Sequence, residues 1–230
     1  MKALLLAAGL GTRLRPLTLN KPKCLIEING RPLIDKWIED LIISGVKEIL
    51  INLHYLPDQV YSYIKNSKYK NYITTVYEKK LFGTAGTLLK NINFFENEDG
   101  LLIHADNFCN INYNDFYLAH QNRPTYCDIT VVTFNTNHPE SCGIFELNKS
   151  GVVTNIFEKK NENHGKIANG AIYLLSSNFI NTIASDYPYA KEFVDDILIK
   201  HIGKIYTYHT NDIFVDIGTP EALNSLNNFF

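Results

Sequence analysis

Leu6-Ala7-Ala8-Gly9-Leu10-Gly11-Thr12-Arg13-Leu14 closes a short apolar run at residues 3–7, and the reading of this stretch decides the fold. Small residues at 7, 8, 9 and 11 let backbone N–H groups come close to a ligand, as phosphate cradling requires. Arg13 and, further on, Lys23 add fixed positive charge. The apolar run has strand length, so the loop falls at the C-terminal edge of a strand, where open α/β sheets bind ligands. Two familiar glycine motifs fail here. A P-loop ends in Gly-Lys-Ser/Thr, which is absent. A dinucleotide fingerprint needs a small residue where Leu14 stands, and Pro16 would interrupt its helix at once. A plain tight turn is the bland alternative to a phosphate loop of another kind.

Outward from the loop, strands and helices alternate. Pro32 suits the first position of a helix with apolar residues at Leu33, Ile34, Trp37, Ile38, Leu41 and Ile42, and Gly45 is a natural stop. Residues 48–53 read as a strand, Pro57 opens a helix carrying Val60 and Ile64, and 72–77 is a third strand. A helix begins at 86–89, and 101–105 is a fourth strand ending at Asp106. This βαβαβαβ order predicts a Rossmann-like, three-layer α/β/α domain on a mostly parallel mixed sheet. Beyond Asp128 the chain becomes strand-rich, at 129–134, 143–147, 152–158 and 168–175, with a hairpin turn at Asn148-Lys149-Ser150-Gly151. Helical patterns return at 191–201 and 219–226. In the second, Thr219 caps, Pro220 is the first helical residue and Glu221 complements the positive helix end. The stretch 161–165 is the best exposed loop, and no repeat or linker interrupts a single domain over 1–230.

The composition excludes several classes. With 22 basic and 24 acidic residues the formal charge is −2, which gives no support for a nucleic-acid or membrane-surface partner. Hydrophobic residues make up 45 %, enough for a sizeable core. Cys24, Cys109, Cys127 and Cys142 form no C-x-x-C pair and have no zinc-ligand spacing, so they read as thiols in a reducing, cytoplasmic compartment. The apolar start imitates a secretory signal, but Arg13 and Arg15 stand where a cleavage site would be expected. No run approaches the ~20 apolar residues that span a bilayer.

The string LAAGLGTRLRPLTLNKPKCLI resembles the signature of the sugar-phosphate nucleotidyltransferases, the family of the mannose- and heptose-1-phosphate guanylyltransferases. Its pattern is L-A-G/A-G-x-G-T-R-L-x-P-L-T followed by P-K-P; Cys24 replaces the second proline of the latter. The resemblance implies that Leu6, Ala7, Ala8, Gly9, Gly11 and Thr12 wrap a triphosphate, with Arg13 and Lys23 neutralising it. Glu78-Lys79-Lys80-Leu81-Phe82-Gly83-Thr84-Ala85-Gly86 resembles E-x-x-P-L-G-T-A-G, which lies against the nucleobase, so Glu78, Gly83 and Thr84 join the nucleotide-binding set. A carboxylate there suits the N–H groups of guanine or the N4 of cytosine better than the carbonyls of uracil.

Asp106, in Ala105-Asp106-Asn107, matches the first magnesium aspartate, with alanine for the usual glycine, and Asn107 is carried over as a substrate residue. Asp216, in Phe214-Val215-Asp216-Ile217-Gly218-Thr219, is similar to W-x-D-x-G-T and implies the second metal ligand, in contact with substrate. On the acceptor side, 142–147 resembles Y-G-V-V-E-F-D, whose glycine (Gly143) lets a sugar approach. Glu158-Lys159 resembles E-K-P, with the carboxylate on sugar hydroxyls, the lysine on the sugar phosphate and Lys160 replacing proline. Asn169-Gly170-Ala171-Ile172-Tyr173 resembles N-A-G-I-Y, where the asparagine faces the sugar.

The implied reaction joins a nucleoside triphosphate, with GTP favoured, to a hexose or heptose 1-phosphate under Mg²⁺ and releases pyrophosphate, with Arg13, Lys23 and Asp106 as the catalytic residues. Residues up to about 125 would bind nucleotide and about 126–230 sugar phosphate. Cytidylyl- or uridylyl-transfer to another phosphorylated acceptor is the nearest alternative, and a nucleotide-sugar-dependent glycosyltransferase the alternative of another class. The chain stops soon after Glu221, which leaves no room for the β-helix or second catalytic domain of longer relatives. A homodimer is compatible with the resemblance.

Overall fold

The computed structural model describes residues 1–158 and 164–228. In chain order the elements are β1 (Lys2–Leu6), β2 (Glu27–Ile28), β3 (Arg31–Pro32), α1 (Leu33–Ile43), β4 (Glu48–Leu53), α2 (Pro57–Asn66), β5 (Ile73–Tyr77), α3 (Thr84–Lys90), β6 (Gly100–His104), β7 (Asn107–Cys109), α4 (Tyr113–Gln121), β8 (Ile129–Asn135), β9 (Gly143–Leu147), β10 (Val153–Glu158), β11 (Ile167–Leu175), α5 (Ser177–Asp186), β12 (Ile205–Thr210), β13 (Phe214–Asp216) and α6 (Pro220–Asn227). They form an α/β fold on a mixed sheet. They fall into two compact units: one holds Met1–Phe82, Ile103–Cys109 and the chain from Ile213 on, the other Gly83–Leu102 and Asn110–Asp212.

In the first unit β1, β4 and β5 run parallel; β1 and β4 read as near-continuous apolar runs because both faces are covered, whereas β5, at the end of the strand order, is partly exposed. Their register sets Leu6 beside Asn52 and Leu53 beside Tyr77, so the ends of all three strands lie at one level. α1 buries Leu33, Ile34, Trp37, Ile38 and Leu41 on one stripe, each worth roughly 1.5–3 kcal/mol of transfer free energy. It stops where Gly45 takes a positive φ of 87° and donates to Ile42. After β6 the chain turns at Ala105-Asp106 into β7, which pairs antiparallel with β13, setting Asn107 opposite Asp216. α6 begins as expected from sequence, with the Thr219 hydroxyl accepting from the Ala222 N–H.

In the second unit β8 is buried along most of its length, pairs antiparallel with β11 and parallel with β12. β9 and β10 form the expected hairpin, whose turn is held by Asn148 Oδ1 accepting from the N–H groups of Ser150 and Val152. The 191–201 pattern is not an α-helix. It is a single π-turn over Phe193–Ile197 followed by a 3₁₀ turn over Leu198–His201. The Asp196 carboxylate accepts from the N–H groups of both Lys191 and Glu192 and caps the segment. α4 and α5, capped by Asn112 and Ser176, and strand β12 also belong to the fold, although no periodicity announced them. Among the described residues no helix is long and apolar enough to cross a membrane.

Candidate active site

The chain from β1 into α1 is irregular because Gly11 and two prolines break it up. Gly11 has φ 62°, and a Cβ there would press on the Thr18 side chain at 2.8 Å and on Lys23 Cβ at 3.3 Å. The buried Thr18 hydroxyl donates to the Gly11 carbonyl (2.6 Å), and Leu14 N–H donates to it as well. Thr12–Leu14 and Lys23–Leu25 form separate 3₁₀ turns, so Pro16 does exclude the long helix of a dinucleotide fold. A Cβ at Gly9 would meet nothing within 4 Å, which leaves its backbone open to a ligand. Leu6 and Ala7 do not offer all their polar groups outward. The Leu6 carbonyl accepts from Ala105 N–H (3.0 Å), and Ala7 N–H donates to Asn52 Oδ1 (2.8 Å).

Lys23 lies at the centre of the charged residues. Its stem is buried, and its ammonium is 2.9 Å from Asp106 Oδ2 and 3.6 Å from Asp216 Oδ1. The other Asp216 oxygen is 3.6 Å from Arg13 Nη2, on a largely exposed guanidinium. Two carboxylates distant in sequence therefore meet on one ammonium, which sequence spacing alone could not establish. The backbone makes this possible. The β7–β13 pairing sets Asp216 opposite Asn107, the residue after Asp106, and Ile217 N–H donates to the Asp106 carbonyl (3.2 Å). Gly218 leaves room for the guanidinium, since a Cβ there would sit 2.6 Å from Arg13 Nη2. Burial works to raise the Asp106 pKa, but Lys23 and His104 outweigh it and hold the carboxyl below its usual range. At the next residue in the chain, burial pushes the Cys24 thiol up to about 12, so it adds no negative charge.

Two expected contact residues are enclosed. Asn107 is buried in β7, and its carbonyl accepts from Trp37 Nε1 (3.0 Å). Glu78 is only 1 % exposed; its Oε1 accepts from Asn52 Nδ2 (2.9 Å) and its Oε2 from Phe82 N–H (3.1 Å).

In the second unit Gly83 has φ 81°, and any Cβ there would collide with the Lys191 carbonyl, a backbone atom. Thr84 donates its hydroxyl to Glu192 Oε2 (3.0 Å) and accepts from Phe193 N–H (2.7 Å), which ties the start of α3 to the capped 191–196 segment. Gly143 and Glu158 are register partners in the β9–β10 hairpin, and a Cβ on Gly143 would collide with Glu158 Oε1. Asn169 stands at the bulge in β11, where its Oδ1 accepts from Ala171 N–H and its amide donates to the Tyr173 hydroxyl. Lys159 lies outside the described residues. Asn52, Thr18, Gly218 and Glu192 were not among the expected site residues. The signal for Asn52 was legible, as a polar side chain in the otherwise apolar strand Ile49-Leu50-Ile51-Asn52-Leu53.

Residues 2–230 match the family model described as Nucleotidyl transferase. The chain belongs to that family. Among its relatives, the mannose-1-phosphate guanyltransferase of Saccharomyces cerevisiae is 28 % identical over 230 residues, covering 96 % of this chain and 62 % of the relative. The enzyme of the same name from Candida albicans is 29 % identical over 230 residues, with the same coverage of 96 % and 62 %. The chain thus spans less than two thirds of the length of these relatives. Among solved structures, HddC from Yersinia pseudotuberculosis complexed with GMP-PN superposes with a TM-score of 0.82 at 27 % identity, over 100 % of this chain and 99 % of that one.

Proposed function

We propose that this chain transfers a nucleoside monophosphate from a nucleoside triphosphate, GTP above others, to a hexose or heptose 1-phosphate, releasing pyrophosphate and leaving a nucleotide-sugar. The observation that carries the reading is the convergence of Lys23, Asp106, Asp216 and Arg13 beside the glycine loop. The guanyltransferase names of the relatives and the GMP-PN bound to HddC support the choice of base. A chain working on intracellular nucleotides and phosphosugars belongs in the cytoplasm, as a source of building blocks for polysaccharide.

The donor set fits magnesium. Asp106 and Asp216 offer hard carboxylate oxygens, and among the described residues no group of three or more His, Cys, Asp or Glu is arranged to hold a metal ion by itself. The remaining ligands would thus be phosphate oxygens and water, the usual coordination of that ion. When bound, it would draw charge from the triphosphate and align it with the acceptor. The acceptor phosphate is already ionised and attacks the α-phosphorus in line, so no side chain need remove a proton. The work of the protein is alignment and charge neutralisation. Arg13 and the open amides about Gly9 hold the departing pyrophosphate, and Lys23 faces the α-phosphate. Glu158 binds sugar hydroxyls where Gly143 makes room, Asn169 faces the sugar, and Lys159 takes its phosphate.

A pyrophosphate-release screen of four nucleoside triphosphates against a panel of sugar 1-phosphates tests the reading. Turnover is expected with GTP and a mannose- or heptose-like 1-phosphate. Sugar transfer from a ready-made nucleotide-sugar without pyrophosphate release would replace it with a glycosyltransferase.

A further inference from the structure

The buried pair Glu78 and Asn52 offers a role for Glu78 other than reading the base. Asn52 Oδ1 accepts from Ala7 N–H, and its Nδ2 donates to Glu78 Oε1. Glu78 Oε2 accepts from Phe82 N–H, while its carbonyl lies 2.7 Å from His54 Nδ1. Asn52 is 3 % exposed and Glu78 1 %. The polarity of the chain is forced. A backbone N–H only donates, so the asparagine must turn its oxygen to Ala7 and its amide to Glu78, and a carboxylate serves there because it accepts at both oxygens. The register of β1, β4 and β5 brings the three segments to one level.

We propose that Glu78 and Asn52 are positioning residues: a buried hydrogen-bond relay, Phe82 N–H to Glu78 to Asn52 to Ala7 N–H, that fixes where the phosphate loop leaves β1. The proposal rests on the loop's reading as a triphosphate cradle. Its consequence is that the relay acts on the phosphates and is indifferent to the base. Glu78→Gln places an amide donor against one of two donors, the Asn52 amide or Phe82 N–H. Asn52→Asp keeps the bond to Ala7 but sets two carboxyl groups against each other. Each single change leaves a buried group mispaired. Together they reverse the donor and acceptor on the central bond and restore all three bonds of the relay: the new carboxylate at 52 accepts from Ala7 and from the new amide at 78, whose oxygen accepts from Phe82.

The test is calorimetric titration of the full chain, with Mg²⁺ present, by inorganic tripolyphosphate and by each of the four nucleoside triphosphates. Each single variant is expected to weaken tripolyphosphate and all four nucleotides by a similar factor, on the order of tenfold. The double variant should return to within about threefold of the wild type, with its melting temperature recovering alongside. If a single variant fails to fold, recovery of folding and affinity in the double variant supports the relay, and failure to recover overturns it. Loss of GTP affinity alone in Glu78→Gln, with tripolyphosphate unaffected, also overturns it and makes Glu78 a base reader. A wild-type chain that binds neither tripolyphosphate nor any nucleotide would sink the functional reading itself, and the relay's role with it.

Discussion

An ammonium buried along its stem and set between two carboxylates has given up most of its hydration, and Lys23 is in that position. Under the proposed function, that charge serves a phosphate. Lys23→Ala is expected to lower kcat by on the order of 10²–10³, as loss of one transition-state donor does, read from pyrophosphate release under saturating substrates. The same change should move the Asp106 titration upward, because the strongest opposing charge is gone while burial still favours the neutral acid. A carbon-detected NMR titration of the Asp106 carboxyl checks this. Since the folded pKa of Asp106 is depressed, its contribution to stability is present above its unfolded value of about 3.9 and is lost as pH falls through the lower folded value. On the acceptor side, Gly143→Ala should push the Glu158 carboxylate aside. Steady-state kinetics should then show a raised KM for the sugar 1-phosphate, with the KM for the nucleotide little changed.

At the scale of elements, the readable features were those with a local cause. The apolar stripe of α1, Gly45 at its end, the 148–151 turn and the Thr219-Pro220 start of α6 all stand where the sequence puts them. Each depends on residues within one turn of one another. Thr219→Ala should accordingly cost about 1 kcal/mol, the usual value of an N-cap, measurable as a lower denaturant midpoint at unchanged slope. What escaped were elements whose stabilisation comes from partners far along the chain. The three-residue strands β7 and β13 exist only because they pair with each other, and no window over either one shows a period. The 191–201 segment carries helical spacing, yet the Asp196 cap and the bonds to Thr84 and Ala85 hold it in a π-turn and a 3₁₀ turn.

For the whole molecule, motif strings could name candidate site residues, but the meeting of Lys23, Asp106 and Asp216 could not be read from them. Asp216 reaches Lys23 because the chain from Ile213 on rejoins the unit that begins at Met1. The bond between Glu78 and Asn52 was equally hidden, since a carboxylate in a glycine-rich string looks the same whatever its partner. Global stability should also depend on pH through His120, buried in the last turn of α4 with Nδ1 on the Thr130 hydroxyl (2.7 Å). Burial, reinforced by Arg123 and opposed by Asp99, pushes its pKa down to about 4. A depressed folded pKa means that its contribution is full above the unfolded value of about 6.5 and is lost as pH falls toward 4. Thermal melts should show the midpoint falling across that window, and His120→Gln should flatten the fall.

The sequence contains one tryptophan, Trp37. Its indole is enclosed in α1 and bonded to the carbonyl of the residue that follows Asp106. Any shift of that peptide when a cation or phosphate arrives changes the electric field along the indole N–H. The chain therefore carries a built-in optical gauge, and its emission maximum can be followed on mixing without attaching a dye.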